Sequence, residues 1–147
     1  MFSHLHTHSG FSFLYGTFTP TDLVARAKDA GFAAVALTDK NGLYGAVRFY
    51  RTALERQVKP IIGTEATLWN GSSLILLAVS LQGYRNLCRL LSLAHTSGGQ
   101  KGYPACPADA LSRHSEGIIC LTGGREGYLR KLLRHTRLTL RQPGFLI

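Results

Sequence analysis

Residues Ala33-Ala34-Val35-Ala36-Leu37 form an unbroken apolar run of strand length. Such a run offers water no polar face, so it suits a strand buried on both sides, in a sheet covered by helices. Helical patterns flank it. Thr19-Pro20-Thr21-Asp22 carries the signals of a helix start: a capping threonine, a proline in the first turn and an acid at the capping-box position. Leu23, Val24, Ala27 and Ala30 follow at helical spacing as far as Gly31, a stop signal. Beyond the run, Leu43, Val47, Tyr50 and Leu54 predict a second helix that buries this stripe and ends before Pro60.

The alternation continues along the chain. Phe2 to His8 predicts a short first strand, and Ile61 to Trp69 and Leu74 to Val79 predict two more, joined by a tight turn at Asn70-Gly71. A helix is predicted from Tyr84 to Ala94, followed by a loop rich in glycine and proline, a short helix and a strand at Ile118 to Leu121. Gly123-Gly124 breaks the chain before a last helix, Tyr128 to His135. This order predicts an α/β fold with a largely parallel sheet, about five strands and one β-hairpin. Five strands are too few to close an eight-stranded barrel, so the sheet is open or the chain is a piece of something longer. Residues 1–135 are expected to form one incomplete domain, and residues 136–147 a basic tail without clear structure.

A chain of 147 residues can bury one core, and 45% apolar content excludes a disordered protein. Charged residues make up only 17%, which predicts that part of the surface is covered by more chain or by a partner. No apolar run is long enough to cross a bilayer, and the N-terminus lacks a signal-peptide pattern, so a cytoplasmic location is expected. Cys88, Cys106 and Cys120 are odd in number and widely spaced, which argues for reduced thiols and against a zinc ribbon or a disulfide framework. The net charge of +9 favours a polyanionic partner, DNA above all. The charge is uneven: Arg125, Arg130, Lys131, Arg134, Arg137 and Arg141 crowd the C-terminal end. A solvated basic helix face, a contact with nucleic acid, and a contact with the next part of a longer protein are all open readings of that cluster.

The densest chemical signal is His4-Leu5-His6-Thr7-His8. Alternate residues of a strand share a face, so the three imidazoles are predicted to lie on one side, at a strand end where loops build a site. Imidazoles two residues apart can grip one divalent ion. Further donors are sought at equivalent strand ends. Asp39 follows the second predicted strand and reads either as a ligand or as the N-cap of the helix at Leu43. Glu65 lies inside a strand, two residues after Gly63, and reads either as a site carboxylate or as a solvent-facing side chain on an edge.

His4-Leu5-His6-Thr7-His8-Ser9 resembles the opening motif of the PHP (polymerase and histidinol phosphatase) family. Ala36-Leu37-Thr38-Asp39, Gly42 to Val47 and Phe49-Tyr50 resemble its second motif, in the form seen in the DNA polymerase III alpha branch, and Lys59 to Glu65 continues the match. Gly83-Tyr84-Arg85-Asn86-Leu87 is similar to that branch in particular. The resemblance covers residues 2 to 133. It implies a partial, distorted (β/α)7 barrel whose strand ends hold divalent ions in active members, which hydrolyse phosphate esters or act as 3′-to-5′ exonucleases. It implies His6, His8 and Glu65 as ligands, to which the strand-end pattern by itself adds Asp39 and His4 as weaker candidates. It also implies losses: Tyr15, Lys40, Ser73 and the Gly123-Gly124 stretch stand where the family carries metal donors, and the closing Asp-x-His motif is absent.

Histidine and carboxylate donors suit zinc, manganese and iron alike. A degraded set predicts sub-stoichiometric binding, with magnesium reserved for any polymerase downstream. Three functions are expected candidates. One is a structural platform within a DNA polymerase III alpha-type protein, with the remaining polymerase domains and DNA as partners. The others are an active metal-dependent phosphoesterase and a non-enzymatic DNA-binding module.

Overall fold

The computed structural model describes residues 2–97 and 102–139. The elements follow the order α1 (Pro20–Asp29), β1 (Ala34–Leu37), α2 (Ala46–Glu55), β2 (Lys59–Thr67), β3 (Ser73–Ala78), α3 (Leu81–Ser97), α4 (Ala108–Arg113), β4 (Ile118–Leu121) and α5 (Tyr128–Thr139). Thr19 caps α1 as expected: its side chain accepts from the Asp22 N–H while the Asp22 carboxylate reaches back to the Thr19 backbone.

The strands form one sheet in the order β1-β2-β3-β4. β1 runs parallel to β2, while β2 with β3 and β3 with β4 are antiparallel. The sheet is therefore mixed, not largely parallel. A hairpin can only deliver an antiparallel neighbour, and the β2–β3 connection is a hairpin. Leu68 N–H donates to Ser72 O at 2.8 Å and Gly71 N–H to Leu68 O at 2.9 Å, with Gly71 at φ +71°. That left-handed position is the one the Asn70-Gly71 signal foretold.

The expected first strand, Phe2 to His8, takes no place in the ladder, so the sheet has four strands and a flanking segment. Ala36 N–H donates to His4 O and Thr38 N–H to Thr7 O, each at 2.9 Å. A regular parallel pair would advance both chains by two residues between such bonds; here the histidine segment advances by three. The Thr7 N–H turns instead to the Thr38 hydroxyl at 3.0 Å, and the Thr7 hydroxyl donates to Ala36 O. The extra residue bends the segment away from strand geometry.

All the core helices lie on one face of the sheet. Val35 and Leu37 point to α1 and α2, packing with Val24, Ala27, Phe49 and Ala53. Leu76 and Ala66 point to α3 and α4, packing with Leu87, Leu90, Ala94 and Ala110. The opposite face carries Ala36, Ile75 and Leu77, flanked by Ile61 and Leu121. Glu65 is directly opposite Ile75 and so belongs to this second, helix-free face.

Helix α2 presents a different stripe from the one expected. It buries Ala46, Phe49 and Ala53, whereas Val47, Tyr50 and Leu54 are 61%, 46% and 55% exposed. Two stripes with the same spacing run side by side on this helix. The stripe with small residues flanking one aromatic lets α2 approach α1 and β1 closely, and the bulkier stripe is left outside. There Val47 and Tyr50 line an apolar groove of about 420 Å³ with Leu81 and Tyr84 of α3. Helix α5 continues to Thr139, beyond the expected end at His135, and residues 140–147 of the expected tail lie outside the described residues.

Phe49→Ala is expected to lower the unfolding free energy by about 3–5 kcal/mol, as for other buried aromatics. Val47→Ala is expected to cost less than about 1 kcal/mol. Urea denaturation followed by circular dichroism separates the two stripes, and the reverse order would place Val47 inward.

Candidate metal centre

The bent histidine segment and the end of β2 meet on the helix-free face. His6 Nε2 lies 3.0 Å from Glu65 Oε2, His8 Nε2 lies 3.0 Å from the same oxygen, and the two imidazole nitrogens are 3.2 Å apart. Three donor atoms thus form a nearly equilateral triangle. Ligand atoms bound at about 2.0–2.2 Å to a common ion stand about 3–3.5 Å apart, so the triangle has the dimensions of one face of a coordination shell. Two imidazoles and one carboxylate are also a donor set that divalent transition ions accept. Beside them, Ser73 Oγ is buried without a well-formed hydrogen bond. A buried hydroxyl paired only loosely with Glu65 beside such a triangle leaves room for an ion or its water. The residues present therefore fit one divalent ion.

The Glu65 side chain is only 8% exposed, His8 is 12% and His6 is 44%, so the triangle opens to solvent on the His6 side. Hydrogen bonds from His6 and then from His8 hold the Glu65 carboxyl far below its ordinary value of 4.5. Burial opposes them, and Lys40 and Ser73 add smaller downward pulls.

The second carboxylate oxygen faces a protein cation. Lys40 Nζ stands 3.9 Å from Glu65 Oε1 and 4.1 Å from the centre of the Tyr15 ring. Tyr15 in turn meets His8 edge-on, with ring centres 5.9 Å apart. The pairing of the backbones dictates this arrangement. Lys40 is a parallel bridge partner of Glu65, and opposite residues of a ladder project to the same face.

Neither weaker candidate joins the triangle. Asp39 precedes Lys40 and projects the other way, where it is 1% exposed. Its carboxylate accepts from Ser9 N–H at 2.7 Å, Ser9 Oγ at 2.8 Å and Ser12 Oγ at 2.7 Å. Asp39 therefore clamps the loop after the histidines; it caps no helix, since α2 starts at Ala46 behind Gly45. His4 lies on the far side of the bend and packs its ring against Phe2 and Phe32, at 4.9 and 5.2 Å. Sequence reasoning missed Ser9 and Ser12 as the partners of Asp39, because hydroxyls in a loop carry no pattern that names a distant carboxylate.

The PHP domain family model matches residues 4–143. The chain belongs to the PHP domain family. It is 43% identical over 152 residues to an error-prone DNA polymerase of Symbiobacterium thermophilum, covering 93% of this chain and 14% of that protein. It is 42% identical over 133 residues to a DNA polymerase III subunit alpha of Chlamydia pneumoniae, covering 81% of this chain and 11% of the relative. The chain thus spans a small fraction of the larger polymerase proteins it matches. Among solved structures, a protein of Bifidobacterium adolescentis described as a metal-dependent phosphoesterase superposes with a TM-score of 0.52 at 23% identity, over 63% of this chain and 33% of that one. An amidohydrolase of Chromobacterium violaceum, solved with sulfate and without metal, superposes with a TM-score of 0.51 at 25% identity, over 63% and 32%. The fold is accordingly a partial PHP-type distorted barrel. Within this PHP domain, Tyr15, Lys40 and Ser73 all border the triangle. Gly123 packs its backbone on Ser73, where a Cβ would come 2.4 Å from the Ser73 carbonyl oxygen.

A carboxyl held below its ordinary value stabilises the fold above that value and ceases to do so as the pH falls. In the metal-free chain, the stability difference between the native protein and Glu65→Gln is therefore expected to shrink as the pH falls below about 4.5. Urea denaturation in EDTA at stepped pH measures it; a difference that stays constant would remove the ionised Glu65 from the account.

Proposed function

We propose that this chain is the PHP module of a DNA polymerase of the III-alpha type, that it serves DNA synthesis in the cytoplasm, and that its site holds a single divalent ion as part of a structural platform. The PHP unit is taken to span residues 1–135. The remaining polymerase domains and DNA are its partners, and the bare apolar stripe of Val47, Tyr50 and Leu54 is surface suited to burial by further protein. The observation that carries the platform reading is the Lys40 ammonium 3.9 Å from Glu65. A cluster of cations needs several anionic donors to offset its charge, and here the only carboxylate of the triangle already faces a fixed positive charge.

His6, His8 and Glu65 would hold the ion, which zinc, manganese or iron could supply, at sub-stoichiometric occupancy. Such an ion, when bound, lowers the pKa of a coordinated water and polarises a phosphoryl oxygen. The chain's own residues limit the chemistry open to such a site. Glu65 is committed to both imidazoles and to Lys40, so among the described residues of the triangle no further carboxylate is left to act as a base. An active phosphoesterase is the alternative, favoured by the solvent-open side of His6 and by Lys40 as a ready cation for a phosphate oxygen.

Titration of the metal-free protein with zinc or manganese is expected to show at most one ion per chain, weakened at least tenfold in His8→Ala and in Glu65→Gln. Lys40→His, which replaces the ammonium by a donor, is expected to tighten binding at least tenfold. No turnover of a generic phosphate ester or of a single-stranded DNA 3′ end is expected. Turnover lost in both His6→Ala and Glu65→Ala, yet kept in the distant His114→Ala, would establish the phosphoesterase instead.

A further inference from the structure

Next to the triangle lies a second feature with chemistry of its own, a cleft of about 490 Å³ that shares Tyr15 and Lys40 with it. Three separate segments bring aromatic rings to its walls. Tyr15 comes from the loop clamped by Asp39. Trp69 comes from the β2–β3 turn. Tyr103 and Pro104 come from the segment before α4, drawn to the end of β2 by Cys106 N–H donating to Thr67 O at 2.8 Å. The three aromatic rings are 63%, 53% and 71% exposed, although each belongs to a residue type that normally gains from burial. Trp69 is backed by Tyr128, with ring centres 6.3 Å apart, which fixes one side of the indole and leaves the rest available.

The polar lining narrows the choice of ligand. Asn41 is already committed: its side chain pairs with Thr67 through two hydrogen bonds and its carbonyl accepts from His95. Two cations lie beside it, one in the lining and one behind it. Lys40 lies at the triangle, and Lys131 of α5 donates to the carbonyl of Gly71, which itself lines the cleft. No acidic residue lines it among the described residues. Sugar recognition would call for free carboxylates or amides, and an apolar peptide would gain nothing from flanking ammoniums. Exposed aromatic faces with two ammoniums beside them match an unstacked base and its flanking phosphates.

We propose that this cleft is a nucleobase subsite for single-stranded DNA, in which Tyr15, Trp69 and Tyr103 stack an unpaired base while Lys40 and Lys131 meet its flanking phosphates. The choice of DNA over RNA rests on the reading of the chain as a DNA polymerase module; the aromatic and cationic geometry does not. The strand so held passes beside the His6–His8–Glu65 triangle, because Lys40 lines the cleft and stands 3.9 Å from Glu65. Tyr15 and Lys40 are thereby positioning residues of the subsite as well as neighbours of the metal centre.

Trp69 is the sole tryptophan of the chain and is a built-in reporter. The metal-free protein, kept in EDTA, is titrated with a short oligothymidylate, with a matched oligouridylate, and with an abasic phosphodiester of equal length. The oligothymidylate is expected to quench Trp69 fluorescence, the oligouridylate less, and the abasic strand not at all. Tyr103→Ala is expected to weaken binding about tenfold, and Tyr103→Phe to stay within about twofold of the native chain, since stacking needs the ring and not the hydroxyl. Lys131→Met is expected to reduce the slope of log affinity against log salt by roughly one contact's worth. Equal quenching by the abasic strand, or equal affinity of Tyr103→Ala and Tyr103→Phe, would overturn the subsite, as would no binding at all. Oligouridylate bound as tightly as oligothymidylate would overturn the assignment to DNA. Because EDTA removes the ion throughout, the fate of the metal reading is decided separately by the metal titration.

Discussion

The parallel pairing of β1 with β2 does not stop at Leu37. Glu65 N–H donates to Asp39 O at 3.1 Å and Asn41 N–H to Glu65 O at 2.9 Å, so the backbone beyond β1 stays in register with β2 to its far end. That register sets the chemistry on both faces. Lys40 and Glu65 project together toward the helix-free face, and Asp39 projects toward Ser9 and Ser12 on the other. A slip of one residue would exchange the two, bringing a second carboxylate to the histidines and burying an ammonium among hydroxyls. Everything at the centre depends on this slip not happening. The Thr64 hydroxyl bond to Asp39 O at 2.8 Å and the Asn41–Thr67 pair help to hold it.

Glu65 is then a carboxylate with more partners than it can serve equally. One oxygen faces two imidazoles and the other a lysine. In the absence of an ion the Glu65 carboxylate already has one fixed positive charge beside it. A divalent ion entering there must compete with an ammonium that the Tyr15 ring and the backbone bridge hold beside the carboxylate. The same loop that delivers Tyr15 is folded by Asp39, so the buried carboxylate that binds no ion still decides where the cation sits. Local substitutions thus change a metal centre without disturbing the fold that carries it.

The alternation of helix and strand patterns, the cap at Thr19, the turn at Gly71 and the three ligand candidates His6, His8 and Glu65 were all legible in the sequence. These features depend on local backbone preference or on residues so chemically specific that their presence in a strand-end segment is itself a signal. The approach of His6 and His8 to Glu65 needs no more than that the histidine segment and β2, on either side of β1, reach the same end of the sheet.

What tertiary structure alone decided is everything governed by register and by competition between equal patterns. Three alternating histidines predicted one shared face, but the extra residue beside β1 turns His4 to Phe32. Two stripes on α2 have the same spacing, and only the closeness of α1 selected the one with alanines. Asp39 and Lys40 are adjacent in sequence and equally able to reach a site; the hydrogen-bonded partner across the ladder, supplied from more than twenty residues away, sends one inward and the other outward. Periodicity specifies which residues share a face, and it cannot specify which face meets which neighbour, because that choice is made by atoms distant in the chain.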